Sequence, residues 1–227
     1  MSKNITLISP FTVPVETSNP SFSARSFVDS KKYYFLVKNI FDIAASLLFI
    51  IFILSWLTPI MALIIKIDSR GPVFFRQKRV GHAGKSFYCF KFRTMYTNDS
   101  CHTVQASCND ERITRVGKFL RKSNIDEFPQ FINVLLGEMS IVGPRPHMHA
   151  DCAKFSTLVQ GYKFRNMVKP GITGLAQIKG FHGPAVTYDS IFHRFQYDAF
   201  YVRNASFWMD VRIIRRTAFE RIAYLFK

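Results

Sequence analysis

The stretch Ile43-Ala44-Ala45-Ser46-Leu47-Leu48-Phe49-Ile50-Ile51-Phe52-Ile53-Leu54-Ser55-Trp56-Leu57-Thr58-Pro59-Ile60-Met61-Ala62-Leu63-Ile64-Ile65 contains no charged residue. About 20 consecutive apolar residues suffice to cross the hydrocarbon core of a bilayer. The segment is apolar all round, whereas a surface helix of a soluble domain keeps one polar face. It begins too deep in the chain for a cleaved signal peptide and lacks the small-residue cleavage pattern. It therefore reads as a membrane-inserted helix, within an anchor placed at residues 33–67.

The flanking charges bear on how it is inserted. Lys31, Lys32 and Lys38 precede the apolar run, and Lys66, Arg70, Arg76, Lys78 and Arg79 follow it. Positive residues mark the cytoplasmic side of a membrane segment, and here both ends carry them. Pro59, with Ser55 and Thr58 close by, removes a backbone donor and favours a kink. A re-entrant helix, broken around Ser55 and Pro59 and returning to the face it entered, satisfies both observations. A spanning helix oriented by the larger downstream charge is the alternative.

A chain of 227 residues with 48% hydrophobic content supports one good-sized core. Its formal net charge of +16 calls for an anionic partner: nucleic acid, acidic lipid headgroups or a phosphorylated substrate. Cys89, Cys101, Cys108 and Cys152 form no CxxC pair and read as reduced, cytosolic thiols; a zinc site from Cys101, His102 and Cys108 is the weaker reading. Residues 1–32, with Pro10, Pro14 and Pro20 among Ser, Thr and Asn, read as a flexible tail. Residues 68–227 are left for a single catalytic domain.

That domain reads as α+β and mainly helical. Pro72-Val73-Phe74-Phe75 and Ser86-Phe87-Tyr88-Cys89-Phe90 flank Gly81-His82-Ala83-Gly84 and predict a small β-hairpin. Strand alternation then puts Lys91 and Arg93 side by side on an open face, with Phe90 and Phe92 behind. Thr97 to Asp110 is a polar loop. Arg112 to Lys122 has helical periodicity, with Ile113, Val116 and Leu120 inward. From Ser206 to Phe226 a C-terminal amphipathic helix carries Phe207, Trp208, Val211, Ile214 and Ala218 against Arg212, Arg215, Arg216 and Arg221. It suits either an acidic bilayer surface or the core.

Asp126 and Glu127 precede Pro129, a residue suited to the first turn of a helix that runs to Gly137. Capping of that helix is one reading of the pair. Their surroundings favour another: Arg121 lies just upstream, and Arg145 is fixed between two prolines. Carboxylates among arginines suit a site where a metal ion and phosphates meet, because arginine offers phosphate a planar, bidentate donor.

Five blocks then appear in consistent order: Lys91-Phe92-Arg93-Thr94-Met95, Arg112-Ile113-Thr114-Arg115-Val116-Gly117, Ile125-Asp126-Glu127-Phe128-Pro129-Gln130, Met139 to Pro146, and Val168-Lys169-Pro170-Gly171-Ile172-Thr173-Gly174. Together they resemble the bacterial sugar transferases, the polyisoprenyl-phosphate hexose-1-phosphate transferases or small monotopic phosphoglycosyl transferases. The likeness runs from about Lys38 to the C-terminus, in the short form of the family. It implies transfer of a sugar-1-phosphate, glucose-1-phosphate being the expected group, from a UDP-sugar to undecaprenyl phosphate. Magnesium would be required and UMP released, on the cytoplasmic face of the bacterial inner membrane, in exopolysaccharide or capsule assembly.

Carried over residue by residue, the resemblance makes Asp126 the covalent nucleophile and a magnesium ligand, and Glu127 its catalytic partner. Arg121 and Arg145 match the phosphate- and nucleotide-binding arginines, Lys91 and Arg93 the basic strand, and Asp210 the late aspartate. Inner-membrane lipids are implied partners and nucleic acid is not; a homo-oligomer is left open. Two departures stand out. Pro59 lies later in the membrane helix than is usual for the family, and Leu175 replaces the tryptophan common after the Thr-Gly of the Lys-Pro-Gly block.

Overall fold

The computed structural model describes residues 28–97, 110–181, 183 and 187–225. Most of the tail expected at 1–32, most of the Thr97–Asp110 loop, and the zinc candidates Cys101, His102 and Cys108 lie outside the described residues.

One helical run of 37 residues extends from Lys32 to Asp68. At about 1.5 Å per residue it is roughly 55 Å long, well beyond the about 30 Å of a bilayer core. It comprises α1 (Lys32–Phe49), a π-helical turn at Ile50–Leu54, and α2 (Ser55–Asp68). The expected break at Ser55 and Pro59 is thus not a stop: the helix continues through both, and the irregularity lies just ahead of them. Pro59 deprives the Ser55 carbonyl of its helical donor, and a widened turn one step earlier accommodates such a defect. Side chains bond back to the π-helical turn, Ser55 Oγ donating to the Ile51 carbonyl and Trp56 Nε1 to that of Phe52 (2.7 Å).

Leu36, Leu48, Phe52, Trp56, Leu63 and Ile67 stand exposed along this run, an apolar face that marks the chain as membrane-associated. The opposite face is core. Leu54, Leu57, Met61 and Ile65 are buried with Phe92 and Leu120, and Phe49 stacks on Phe131 at 3.9 Å between ring centroids.

The remainder is α+β. β1 (Phe74–Val80) and β2 (Ser86–Phe92) form the antiparallel hairpin, with Val80 opposite Ser86 and Phe74 opposite Phe92. α3 (Arg115–Ser123) starts at Thr114, whose Oγ1 accepts from the Gly117 amide, and ends at Asn124 in the left-handed conformation (φ 59°). A 3-10 turn, Ile125–Glu127, leads through Pro129 into α4 (Gln130–Leu135). β3 (Ser140–Val142) pairs in parallel with β4 (Gly171–Thr173). α5 (His149–Leu158) and a 3-10 segment, Tyr162–Met167, connect them. α6 (Leu175–Ile178), α7 (Tyr188–Asn204) and α8 (Phe207–Leu225) complete the chain.

The β3–β4 crossing requires glycine. A Cβ on Gly171 would lie 2.1 Å from the Gly143 amide, and one on Gly143 would lie 2.4 Å from the Lys169 carbonyl. The Gly-Pro-Arg-Pro and Lys-Pro-Gly blocks are therefore two sides of one backbone contact. In α8, Asp210 and Ile213 are buried while Phe207, Trp208 and Phe219 are exposed. The apolar residues assigned from sequence to one face of this helix are for the most part at the surface.

Candidate active site

Strand β2, the turn after α3 and the turn after β3 deliver Lys91, the Asp126-Glu127 pair and Arg145 to one place. The turn after α3 presents both carboxylates because Asn124 reverses the chain there and Pro129 starts the next helix at once. Lys91 Nζ lies 2.6 Å from Glu127 Oε1. Arg145 closes its fork on the same carboxylate, Nη2 at 2.6 Å from Oε1 and Nη1 at 3.1 Å from Oε2. The cations keep 20% and 27% of their side chains exposed, against 9% for Glu127, so the carboxylate lies beneath two cations that still face outward.

The adjacent acids are held differently. Burial alone would raise the Glu127 carboxyl, but Arg145 and Lys91 together keep it well below the usual carboxylate range. Asp126 is pushed up to about 6 by burial; Lys91 offsets this in part, and the neighbouring Glu127 charge adds to it. Among the described residues, no side chain donates a hydrogen bond to the Asp126 carboxylate. Arg121 is the next cation, its Nε tied to Thr94 Oγ1 at 2.8 Å and its charge acting on Asp126.

Two candidates lie elsewhere. Arg93 follows β2 and is buried, not on an open face beside Lys91: its guanidinium donates to the carbonyls of Ser69 (2.7 Å) and Arg70 (2.6 Å) and caps the end of α2. The backbone carbonyls just past the end of α2 draw the guanidinium inward and outweigh simple strand alternation. Asp210 accepts from Tyr34 Oη and Lys38 Nζ, both at 2.7 Å, and from Tyr201 Oη at 2.8 Å. It latches α1 to α7 and α8, and none of its bonds reaches the Asp126-Glu127 group.

Sequence reasoning missed a layer behind Arg145. Arg165 Nη2 donates to the Arg145 carbonyl (2.6 Å) and pairs with Asp198, both side chains nearly fully buried. His147 bonds Tyr162 Oη through Nδ1 (2.6 Å) and, driven by burial and four surrounding arginines, titrates well below the usual histidine range. No motif flags these residues, although charged side chains inside otherwise apolar helical periods are a usable signal.

A metal fits in one way. The described residues contain no group of three metal-ligating side chains. Asp126 provides a carboxylate without a hydrogen-bonding partner beside cations that suit phosphate, which matches a magnesium ion held by one or two carboxylates and the oxygens of a diphosphate.

The long apolar helix, the small sheets and the carboxylate-arginine group together define a membrane-associated α+β chain with a candidate phosphate site. Residues 33–223 match the bacterial sugar transferase family, and the chain belongs to it. It is 47% identical over 185 residues to the UDP-glucose:undecaprenyl-phosphate glucose-1-phosphate transferase of Klebsiella pneumoniae, covering 81% of this chain and 39% of that protein. The protein of the same name from Xanthomonas campestris pv. campestris is 46% identical over 196 residues, with 84% and 40% covered. The exopolysaccharide production protein PSS of Rhizobium leguminosarum bv. phaseoli is 43% identical over 192 residues, with 82% and 96% covered. The chain thus spans about two fifths of the length of the first two relatives.

Proposed function

We propose that this protein transfers a hexose-1-phosphate, glucose-1-phosphate by preference, from a UDP-sugar to undecaprenyl phosphate and releases UMP. The reaction would initiate exopolysaccharide or capsule assembly on the cytoplasmic face of the inner membrane. The names of the relatives support the substrate classes. The observation that carries the reading is the asymmetry of the dyad: Glu127 is neutralised by Lys91 and Arg145, while no side chain among the described residues donates a hydrogen bond to Asp126.

In this reading an Asp126 carboxylate oxygen attacks the β-phosphorus of the UDP-sugar. An acyl-phosphate P–O bond forms as the bond to UMP breaks. An oxygen of undecaprenyl phosphate then attacks the same phosphorus and the acyl-phosphate bond breaks, which restores Asp126. Glu127 is held ionised and donates no proton; it sets the positions of Lys91 and Arg145, whose open sides meet the phosphates. Magnesium, held by Asp126 and substrate, would offset charge on the diphosphate.

The test is UMP release across UDP-glucose, UDP-galactose and UDP-N-acetylated sugars, with and without undecaprenyl phosphate. A burst of UMP without lipid, leaving labelled sugar phosphate on the protein, is expected. UMP that appears only when lipid phosphate is present, with no label retained, argues for direct transfer instead.

A further inference from the structure

The turn that carries Arg145 is held at each carbonyl from Pro144 to His147. Pro144 O accepts from the Gly171 amide (3.0 Å), Pro146 O from Arg79 Nη1 (3.3 Å) and His147 O from the Val80 amide (3.0 Å). These partners belong to the sheets next to the turn. The Arg145 carbonyl is different: its donor is Arg165 Nη2 at 2.6 Å, from the 3-10 segment Tyr162–Met167. Arg165 is in turn fixed by Asp198 of α7, with Nε at 2.9 Å and Nη2 at 2.8 Å from Oδ2. The side chains of this pair are 3% and 2% exposed.

A buried ion pair adds little net stability, because desolvating two charges offsets most of their attraction. What it supplies is geometry. The planar guanidinium joins one carboxylate and one carbonyl in fixed relation, and the residue whose carbonyl it grips is the one whose fork holds Glu127.

We infer that Arg165, braced by Asp198, is a positioning residue for the reaction proposed above: it sets the aim of the Arg145 guanidinium, and so the placement of Glu127 and Lys91. The line from α7 to the dyad is Asp198, Arg165, the Arg145 carbonyl, the Arg145 fork, Glu127. A lysine at 165 keeps the charge opposite Asp198 but has no planar fork to bridge carboxylate and carbonyl. Misplacement of reacting groups by about 1 Å can cost about 100-fold in rate.

The experiment is a double-mutant cycle on the full-length enzyme in membranes. Arg165→Lys is expected to lower kcat for UMP release about 10- to 100-fold with KM changed less than about threefold. In an Arg145→Lys background the same change should cost less than about threefold further, because the fork it aims is already gone. Costs that multiply, or wild-type kcat in a folded Arg165→Lys enzyme, overturn the inference. Should Arg165→Lys fail to fold, the joint replacement Arg165→Gln with Asp198→Asn removes both charges and is read in the same cycle. Hydrogen exchange at the amides of Gly143, Arg145 and His147 gives a readout independent of turnover and is expected to rise at least about tenfold in the variant. If the wild-type enzyme releases no UMP, the proposed function fails and the exchange measurement alone decides the positioning role; unchanged exchange rejects it.

Discussion

Asp126 and Glu127 are neighbours in the chain and equally buried, at 7% exposure each, yet their protons are held in opposite senses. Two cations within 2.6 Å stabilise the Glu127 anion, while Asp126, to which no side chain among the described residues donates a hydrogen bond, has the cost of burial offset only in part by the charges of Lys91, Arg121 and Arg145. A poorly compensated anion is the better nucleophile, and a fully compensated one the better anchor.

Asp126→Asn is expected to abolish UMP release and protein labelling. It also tests the burial argument through stability. The folded-state pKa of Asp126, about 6, lies above its ordinary 3.8. Its contribution to stability is therefore present at low pH and lost as pH rises through about 6. The variant should melt with wild type near about pH 4 and above it by about pH 7.5. In wild type, kcat/KM should fall as pH drops through about 6. Substantial transfer by a folded Asp126→Asn enzyme, checked for deamidation, eliminates the covalent mechanism.

Arg145→Lys should lower kcat by about 100-fold at normal protein levels, since a point charge cannot hold both Glu127 oxygens. Glu127 would also lose part of what keeps its pKa low, so the stability that wild type loses on acidification should be smaller in the variant and its loss complete at a higher pH. Full activity in the lysine variant would reduce Arg145 to a source of general positive field.

Leu57 and Leu63 lie six residues apart in α2 and on different faces: Leu57 is buried in the core and Leu63 is 64% exposed. Leu57→Ala should destabilise by about 2–4 kcal/mol, and Leu63→Ala by less than about 0.5 kcal/mol. Denaturant unfolding in a mild detergent separates the two. Equal effects would mean that α2 does not pack as described.

Both ends of the Lys32–Asp68 run are tied to one body, Lys31 to the carbonyls of Arg203 and Ala205, and the Ser69 and Arg70 carbonyls to Arg93. Single cysteines at Lys31 and Ser86, in a chain cleared of native cysteines, should both resist an impermeant thiol reagent in intact cells and react after permeabilisation. Labelling at Lys31 in intact cells sinks the placement of both ends on one side of the membrane and leaves the chemistry untouched.

The apolar run, the hairpin and α3 were legible because each rests on local rules of periodicity and turn chemistry. The convergence of Lys91, Asp126, Glu127 and Arg145 was legible through motif blocks. Three things were not. Arg93 and Asp210 carry the residue types of a phosphate site, but tertiary contacts assign them to fastening the membrane helix. The widened turn at Ile50–Leu54 leaves no mark in composition, since it compensates for a proline that comes later. The Arg165–Asp198 brace joins positions 33 apart, a pairing that no single-sequence period encodes.

The burial of Leu54, Leu57, Met61 and Ile65 alongside Phe92 has an outcome for how this enzyme relates to its surroundings. The exposed apolar face and the buried face belong to the same helix, and Phe92 is the chain neighbour of Lys91. Lipid covering the exposed face would be one helix thickness from the strand whose Lys91 pairs with Glu127. A cut between Leu54 and Ile65 would therefore open the core rather than release an intact domain. Changes in acyl-chain order or detergent are felt as a change of solvent on one wall of the catalytic domain itself.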